Sequence, residues 1–232
     1  MSAQSNTLQA NVKFKAATRV QEALTARIEK RALVWMAERT PRRINSDHLT
    51  LLGFVAQFLT GVCYALSRGN RWMLLAATAC IALNWLGDSL DGTLARVRQR
   101  QRPRYGFYVD HVMDTFGAFF LTGGLALSGY AHPVVAIGLL IAFLMLSIET
   151  YLATYTLGQF RLSHGIFGPT EIRILLVLGN IALLFRPVVH LAGRQFRLCD
   201  IGGAVAMVAM GAMLVVAAVR HTIQLYNEEK LQ

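Results

Sequence analysis

Four aspartates are crowded into the stretch 85–115, WLGDSLDGTLARVRQRQRPRYGFYVDHVMDT, as two pairs: Asp88 with Asp91, and Asp110 with Asp114. Residues three or four apart share one face of a helix, so each pair would present two carboxylates to the same side. The first pair ends a long apolar run and the second opens another. Joined by the Arg-rich link from Val97 to Tyr105, two such helices would form a hairpin with four carboxylates facing inward. An aspartate deep in a membrane helix costs about 2.5 to 3.5 kcal/mol on insertion scales, so the set needs compensation. Two divalent cations would neutralise four carboxylates, and an all-oxygen ligand set suits Mg²⁺, Mn²⁺ or Ca²⁺ rather than zinc. The plainer alternative is a group of solvated helix ends, salt-bridged to the neighbouring arginines.

The spacing continues beyond the acids. Asp88-x2-Asp91-Gly92-x2-Ala95-Arg96, nine further residues, then Gly106-x3-Asp110-x3-Asp114 resembles the signature of the CDP-alcohol phosphotransferase (CDP-alcohol phosphatidyltransferase) family at all eight positions. The resemblance implies an enzyme in which a hydroxyl attacks the distal phosphorus of a CDP-alcohol, releasing CMP and forming a phosphodiester. It implies two divalent cations, Mg²⁺ or Mn²⁺, held by Asp88, Asp91 and Asp110, with Asp114 nearby as candidate general base and further ligand. Gly92 and Gly106 would line the cytidine site, and Arg96, next to the signature residue Ala95, would reach the diphosphate with paired donors. Thr50 stands in Thr50-Leu51-Leu52-Gly53, similar to the Thr-x2-Gly that family members carry there; a hydroxyl bonded to the preceding helical turn is the alternative.

Two smaller features resemble the choline/ethanolamine phosphotransferase branch: Asp110-His111-x2-Asp114, and Thr170-Glu171 further on. By that resemblance His111 and Glu171 would activate a diacylglycerol hydroxyl. As plain structure, His111 would bond a backbone group and Glu171 would cap its helix. Both substrate patterns stay open: CDP-diacylglycerol donating to a polar alcohol, or CDP-choline/ethanolamine donating to diacylglycerol. A phosphorylated acceptor would need basic groups at the rim, for which Arg161, Arg173 and Arg104 are candidates.

The elements that must position these residues are hydrophobic. Of 232 residues 54% are apolar and 16% charged, too apolar for an ordinary soluble domain. Six apolar runs are long enough to span a bilayer: about 48–66, 72–96, 107–128, 133–157, 171–191 and 201–219. Ahead of them, residues 12–38 show a helical period, with Val20, Leu24, Ile28, Ala32 and Trp35 on one face and Lys13, Lys15, Arg19, Arg27, Lys30 and Arg31 opposite. The expected fold is all-α and integral to the membrane, six transmembrane helices plus an N-terminal amphipathic interfacial helix on an anionic leaflet. The expected organisation is a cytoplasmic segment 1–44, a catalytic domain 45–222 and a tail 223–232.

Lysine and arginine cluster in the segments that share a side with both termini, which puts the aspartates at the cytoplasmic face. The net charge of +10 fits that topology, and no basic-aromatic nucleic-acid surface stands out. No apolar leader with a cleavage site opens the chain. Cys63, Cys80 and Cys199 are scattered and form no metal or disulfide pattern. The expected partners are the CDP-alcohol, its hydroxyl acceptor and the bilayer; a homodimer is implied by the resemblance. Glu149, inside the fourth run, has no motif role. The competing class is a cation transporter or channel using the aspartates as an ion path, which would spread acids through the membrane depth or show an inverted repeat.

Overall fold

The computed structural model of the protein describes residues 18–20, 26–161, 168–191 and 193–230. Its helices are α1 (Ala26–Arg39), α2 (Ser46–Leu66), α3 (Met73–Val97), α4 (Pro103–Ser128), α5 (Pro133–Leu157), α6 (Pro169–Phe185) and α7 (Leu198–Glu228). A parallel pair of strands joins β1 (Thr18–Val20) to β2 (Gln159–Arg161), and an antiparallel hairpin joins β3 (Val188–Leu191) to β4 (Arg194–Arg197). Proline opens α4, α5 and α6, where its missing N–H is no loss. Gly129 (φ 80°) and Gly158 (φ 66°) close α4 and α5 in the left-handed conformation that glycine adopts without strain.

Among the described residues four helices are long and apolar enough to cross a membrane: α2, α3, α5 and α7. The six runs read from the sequence are all helical, but two miss that standard for different reasons. In α4, polar His111 and Asp114 and the pair Gly123-Gly124 dilute the apolar character. α6 has 17 residues, which at about 1.5 Å per residue span less than the ~30 Å hydrocarbon layer. The expected fifth run to residue 191 also ends early. Pro187 favours extended backbone at Arg186, the helix stops at Phe185, and the chain turns into the β3–β4 hairpin.

The N-terminal helix is shorter than its period suggested. Thr18–Val20 is a strand and the helix begins at Ala26; Lys13, Lys15 and Leu24 lie outside the described residues. Its buried face carries Leu33 and Ala37, which pack with Leu49 of α2 and Leu90 and Leu94 of α3. The apolar residues expected to define its membrane face, Ile28, Ala32 and Trp35, point away from the bundle, and so do Arg39 and Arg31, the latter expected on the opposite face. The Arg39 guanidinium lies 4.2 Å over the Trp35 ring.

The aspartate hairpin is also corrected by the fold. α3 and α4 are consecutive, yet each packs along α2 and they barely meet one another. Glycines make α2 the common support. A Cβ on Gly87 of α3 would lie 2.5 Å from the backbone nitrogen of Gly53, and one on Gly117 of α4 would lie 2.8 Å from Gln57 Cγ. Farther along, Gly61 of α2 and Gly124 of α4 are in backbone contact. Small residues let helices approach closely where lipid offers no hydrophobic drive to pack them. α6 is tied in by a buried relay: Tyr64 Oη donates to Asn180 Oδ1 (2.8 Å), and Asn180 Nδ2 donates to Thr78 Oγ1 (3.1 Å).

Candidate active site

α3 and α4 each pack along α2, and their acidic ends come together at one mouth of the bundle. Contacts at this mouth come from the start of α2, the end of α3, the start of α4, the end of α5 and the start of α6. Asp88, Asp91, Asp110 and Asp114 lie within reach of one another's charge, and Asp114 within reach of Arg173 as well. The four carboxylates expected to share a site are therefore gathered, although α3 and α4 do not pack on one another as a hairpin.

Asp91 is the most constrained of the four, 6% exposed. Thr50 Oγ1 donates to its Oδ2 (2.6 Å), the Gly92 N–H donates to its Oδ1, and Ser46 Oγ donates to its carbonyl (2.9 Å). Thr50 Oγ1 also lies 3.2 Å from the Ser46 carbonyl. A hydroxyl has one proton, so the shorter contact to a carboxylate is the one it serves. Thr50 thus fixes an acidic side chain of α3 from α2, next to the Gly53–Gly87 contact that joins the same helices.

Asp88 is held differently. Arg173 Nη2 donates to Asp88 Oδ2 (2.6 Å) and Arg173 Nε to Asn84 Oδ1 (2.9 Å), while Asn84 Nδ2 donates to the Gly53 carbonyl (3.0 Å). Arg173 was legible only as one basic residue among several at the rim; its role as the Asp88 partner needed α6 to be docked on α3. Its Nη1 is buried with no hydrogen-bond partner among the described residues.

His111 and Glu171 make the plain structural contacts that the sequence allowed. His111 Nδ1 lies 2.5 Å from the Phe107 carbonyl, and Glu171 Oε2 accepts from the Gly168 N–H (3.0 Å) at the start of α6. For His111 that contact has a chemical consequence. Bonding to a carbonyl puts the proton on Nδ1 and the basic lone pair on Nε2. The ring is stacked on Phe107, with centroids 4.1 Å apart, and meets Tyr151 of α5 edge-on at 4.9 Å. Tyr151, which carries no motif, also lies within reach of the Asp114 charge.

The glycines divide into two kinds. A Cβ on Gly106 would meet nothing within 4 Å, and one on Gly92 would meet only Arg96 Nη1 at 3.5 Å, an ordinary contact. Neither is needed to bring helices together, unlike Gly53 and Gly87. Arg96 is exposed at the end of α3, with Nη2 donating to Thr93 Oγ1 (2.9 Å), and Ala95 is half-buried beside it. The side chain of Arg161 lies outside the described residues.

Glu149 gains a partner: its Oε1 lies 2.6 Å from His221 Nδ1 of α7, which ties α5 to α7. Among the described residues no three Asp, Glu, His or Cys side chains close on one point as a cation cage. The donor set is nonetheless chemically suited to a hard divalent cation, being all carboxylate and gathered at one mouth.

No curated protein matches the chain. The model of the CDP-alcohol phosphatidyltransferase family matches residues 44–224, which takes in the mouth and all six helices from α2 to α7. That span is most of the chain, and the transfer of a phosphate group from a CDP-alcohol is the activity of the family. The protein belongs to the CDP-alcohol phosphatidyltransferase family.

Proposed function

We propose that the protein is a metal-dependent membrane transferase of phospholipid synthesis. It moves a substituted phosphate from a CDP-alcohol to a hydroxyl acceptor and releases CMP at the cytoplasmic face. The observation that carries this is the gathering of Asp88, Asp91, Asp110 and Asp114 with Arg173 at the one mouth where the ends of five helices meet. A transporter would instead distribute its acids along a path through the membrane.

Asp88, Asp91, Asp110 and Asp114 would hold two divalent cations, Mg²⁺ or Mn²⁺. Bound there, the cations would neutralise the diphosphate and polarise the attacking oxygen. Thr50 and the Gly92 N–H hold the Asp91 carboxylate in one orientation, so it need not be ordered during the reaction. Arg96 binds the diphosphate as a planar donor fork, and the orphaned Arg173 Nη1 is a donor that an anionic substrate oxygen would satisfy.

Gly92 and Gly106 leave the cytidine room against helical backbone. Gly106→Ala should keep or slightly raise the thermal midpoint, since alanine in a helix is favoured over glycine by up to about 1 kcal/mol. The same change should raise KM for the CDP donor about tenfold, a methyl group placed where the base must lie. A nucleotide titration at fixed acceptor reads it; an unchanged KM removes Gly106 from the cytidine site.

His111 takes the proton of the acceptor hydroxyl on Nε2, with Nδ1–H anchored on Phe107 and Asp114 three residues on in the same helix. The acceptor this favours is diacylglycerol, with CDP-choline or CDP-ethanolamine as donor and Glu171 ordering the start of α6. The outward stripe of α1, Ile28, Arg31, Trp35 and Arg39, rests on the anionic headgroups of the same leaflet. The homodimer stands on the resemblance to the family alone.

The test is CMP release by the purified chain in lipid nanodiscs. Each CDP donor is offered with diacylglycerol or with a panel of polar alcohols, in Mg²⁺, Mn²⁺ or chelator. Metal-dependent CMP release with CDP-choline or CDP-ethanolamine and diacylglycerol is expected. Release only from CDP-diacylglycerol would keep the reaction class and reverse the substrates. Cation flux through liposomes with no CMP from any pair would replace the enzyme with a transporter.

A further inference from the structure

One half-buried carboxylate near the mouth lies outside the signature motif. Glu29 of α1 accepts three hydrogen bonds on Oε1: from Trp85 Nε1 (2.9 Å) and Ser89 Oγ (3.2 Å) of α3, and from Thr170 Oγ1 (2.8 Å) of α6. Trp85 and Ser89 are four residues apart on one face of α3 and bracket Asp88. Thr170 lies in the first turn of α6, three residues before Arg173, so the two share a face of that helix. The first turn of α6 is thus fastened to α3 twice: directly, by Arg173 on Asn84 and Asp88, and indirectly, by Thr170 through the Glu29 carboxylate.

We infer that Glu29 is a positioning residue for the transfer reaction: its carboxylate holds the first turn of α6 against the aspartate face of α3 and so sets where Arg173 meets Asp88. The inference rests on the transferase activity proposed above. Three donors directed at one charged oxygen define its position far more tightly than a single contact does, and charge-assisted hydrogen bonds are the strong ones. Leu33 and Ala37, one and two turns along the same face of α1, pack with Leu90 and Leu94, so the helix that delivers Glu29 is itself anchored on α3. Without the carboxylate, Thr170, Trp85 and Ser89 each lose their acceptor, and the start of α6 keeps only the Arg173 arm.

Two measurements on the full chain in nanodiscs test this, one of which needs no catalysis. Amide hydrogen exchange across residues 168–173 should quicken about tenfold in Glu29→Ala and stay near the unmodified rate in Glu29→Gln, whose amide oxygen still accepts. Exchange in α2 and α4 should not change. In the CMP assay, Glu29→Ala should lower kcat about tenfold per folded molecule with KM for the donor within about twofold, and Glu29→Gln should recover most of the loss. Thr170→Val removes only the α6 arm and should reproduce the local exchange change even if Glu29→Ala does not fold.

Unchanged exchange at 168–173 in a folded Glu29→Ala, or in Thr170→Val, overturns the inference whatever the activity. Faster local exchange with undiminished kcat reduces Glu29 to a structural tie and also overturns it. If exchange responds as expected but the unmodified chain releases no CMP, the clamp stands and the transferase activity is what fails.

Discussion

Asn at position 114 should lower CMP release about 10³-fold or more, in the range by which positioned acid–base groups and metal ligands contribute to rate. The bundle should stay folded. Asp114 is exposed and within reach of the charges of Asp88, Asp91 and Asp110. Asparagine has nearly the same shape but no negative charge, so it removes the proposed cation ligand. It also relieves repulsion among four like charges, which stability alone would never have assembled. The expected signature is therefore a thermal midpoint equal to or above that of the unmodified protein, together with lost turnover. Midpoint and CMP release measured on the same preparation check it. Retained turnover would remove Asp114 from the mechanism; a lowered midpoint would mean that the carboxylate holds the fold.

Gly87→Val should have the largest effect on the fold. The added Cβ would lie 2.5 Å from the Gly53 nitrogen and 2.6 Å from the Leu49 carbonyl, both backbone atoms of α2 that cannot rotate away. Relief requires α3 to back off α2, which breaks the Asn84–Gly53, Thr50–Asp91 and Ser46–Asp91 bonds together. Overpacking alone costs about 1 to 3 kcal/mol, and the lost hydrogen bonds carry the total to about 3 kcal/mol or more. Unfolding in mild detergent, followed by tryptophan fluorescence, reads this directly. Gly106→Ala is the control: a glycine nineteen residues on in the same motif region, where a Cβ meets nothing within 4 Å and the substitution should cost no stability. Equal stability of the two variants would mean that α2 is not the support of the site.

Much of the site was legible in the sequence, and for a simple reason. Acid pairs at spacings of three and four residues, set at the ends of apolar runs, leave few arrangements other than a shared face at a helix end. All six apolar runs are helices, with Pro103, Pro133 and Pro169 marking three of the starts. The N-terminal period set Arg31 opposite Ile28, Ala32 and Trp35, yet all four are exposed, because a period names faces without saying which one meets protein. Ile28 and Trp35 turn outward, while Leu33 and Ala37 are buried with Leu49, Leu90 and Leu94. The fifth run overshot because hydropathy carried through Pro187, where the backbone could no longer stay helical.

What the residues determined by themselves was therefore chemistry and its address: hard acidic ligands, a membrane setting, and the end of the bundle at which they sit. Tertiary structure alone decided how those groups are held. Gly53 and Gly87 let α2 and α3 touch, α4 packs on α2 rather than on α3, Thr50 fixes Asp91, and Arg173 crosses from α6 to Asp88. Local spacing reaches only about one helical turn, so it can pair Asp88 with Asp91 but says nothing of a partner 85 residues away. That partner is chosen by which helices can approach closely enough to share a buried hydrogen bond, and this depends on every side chain along both interfaces.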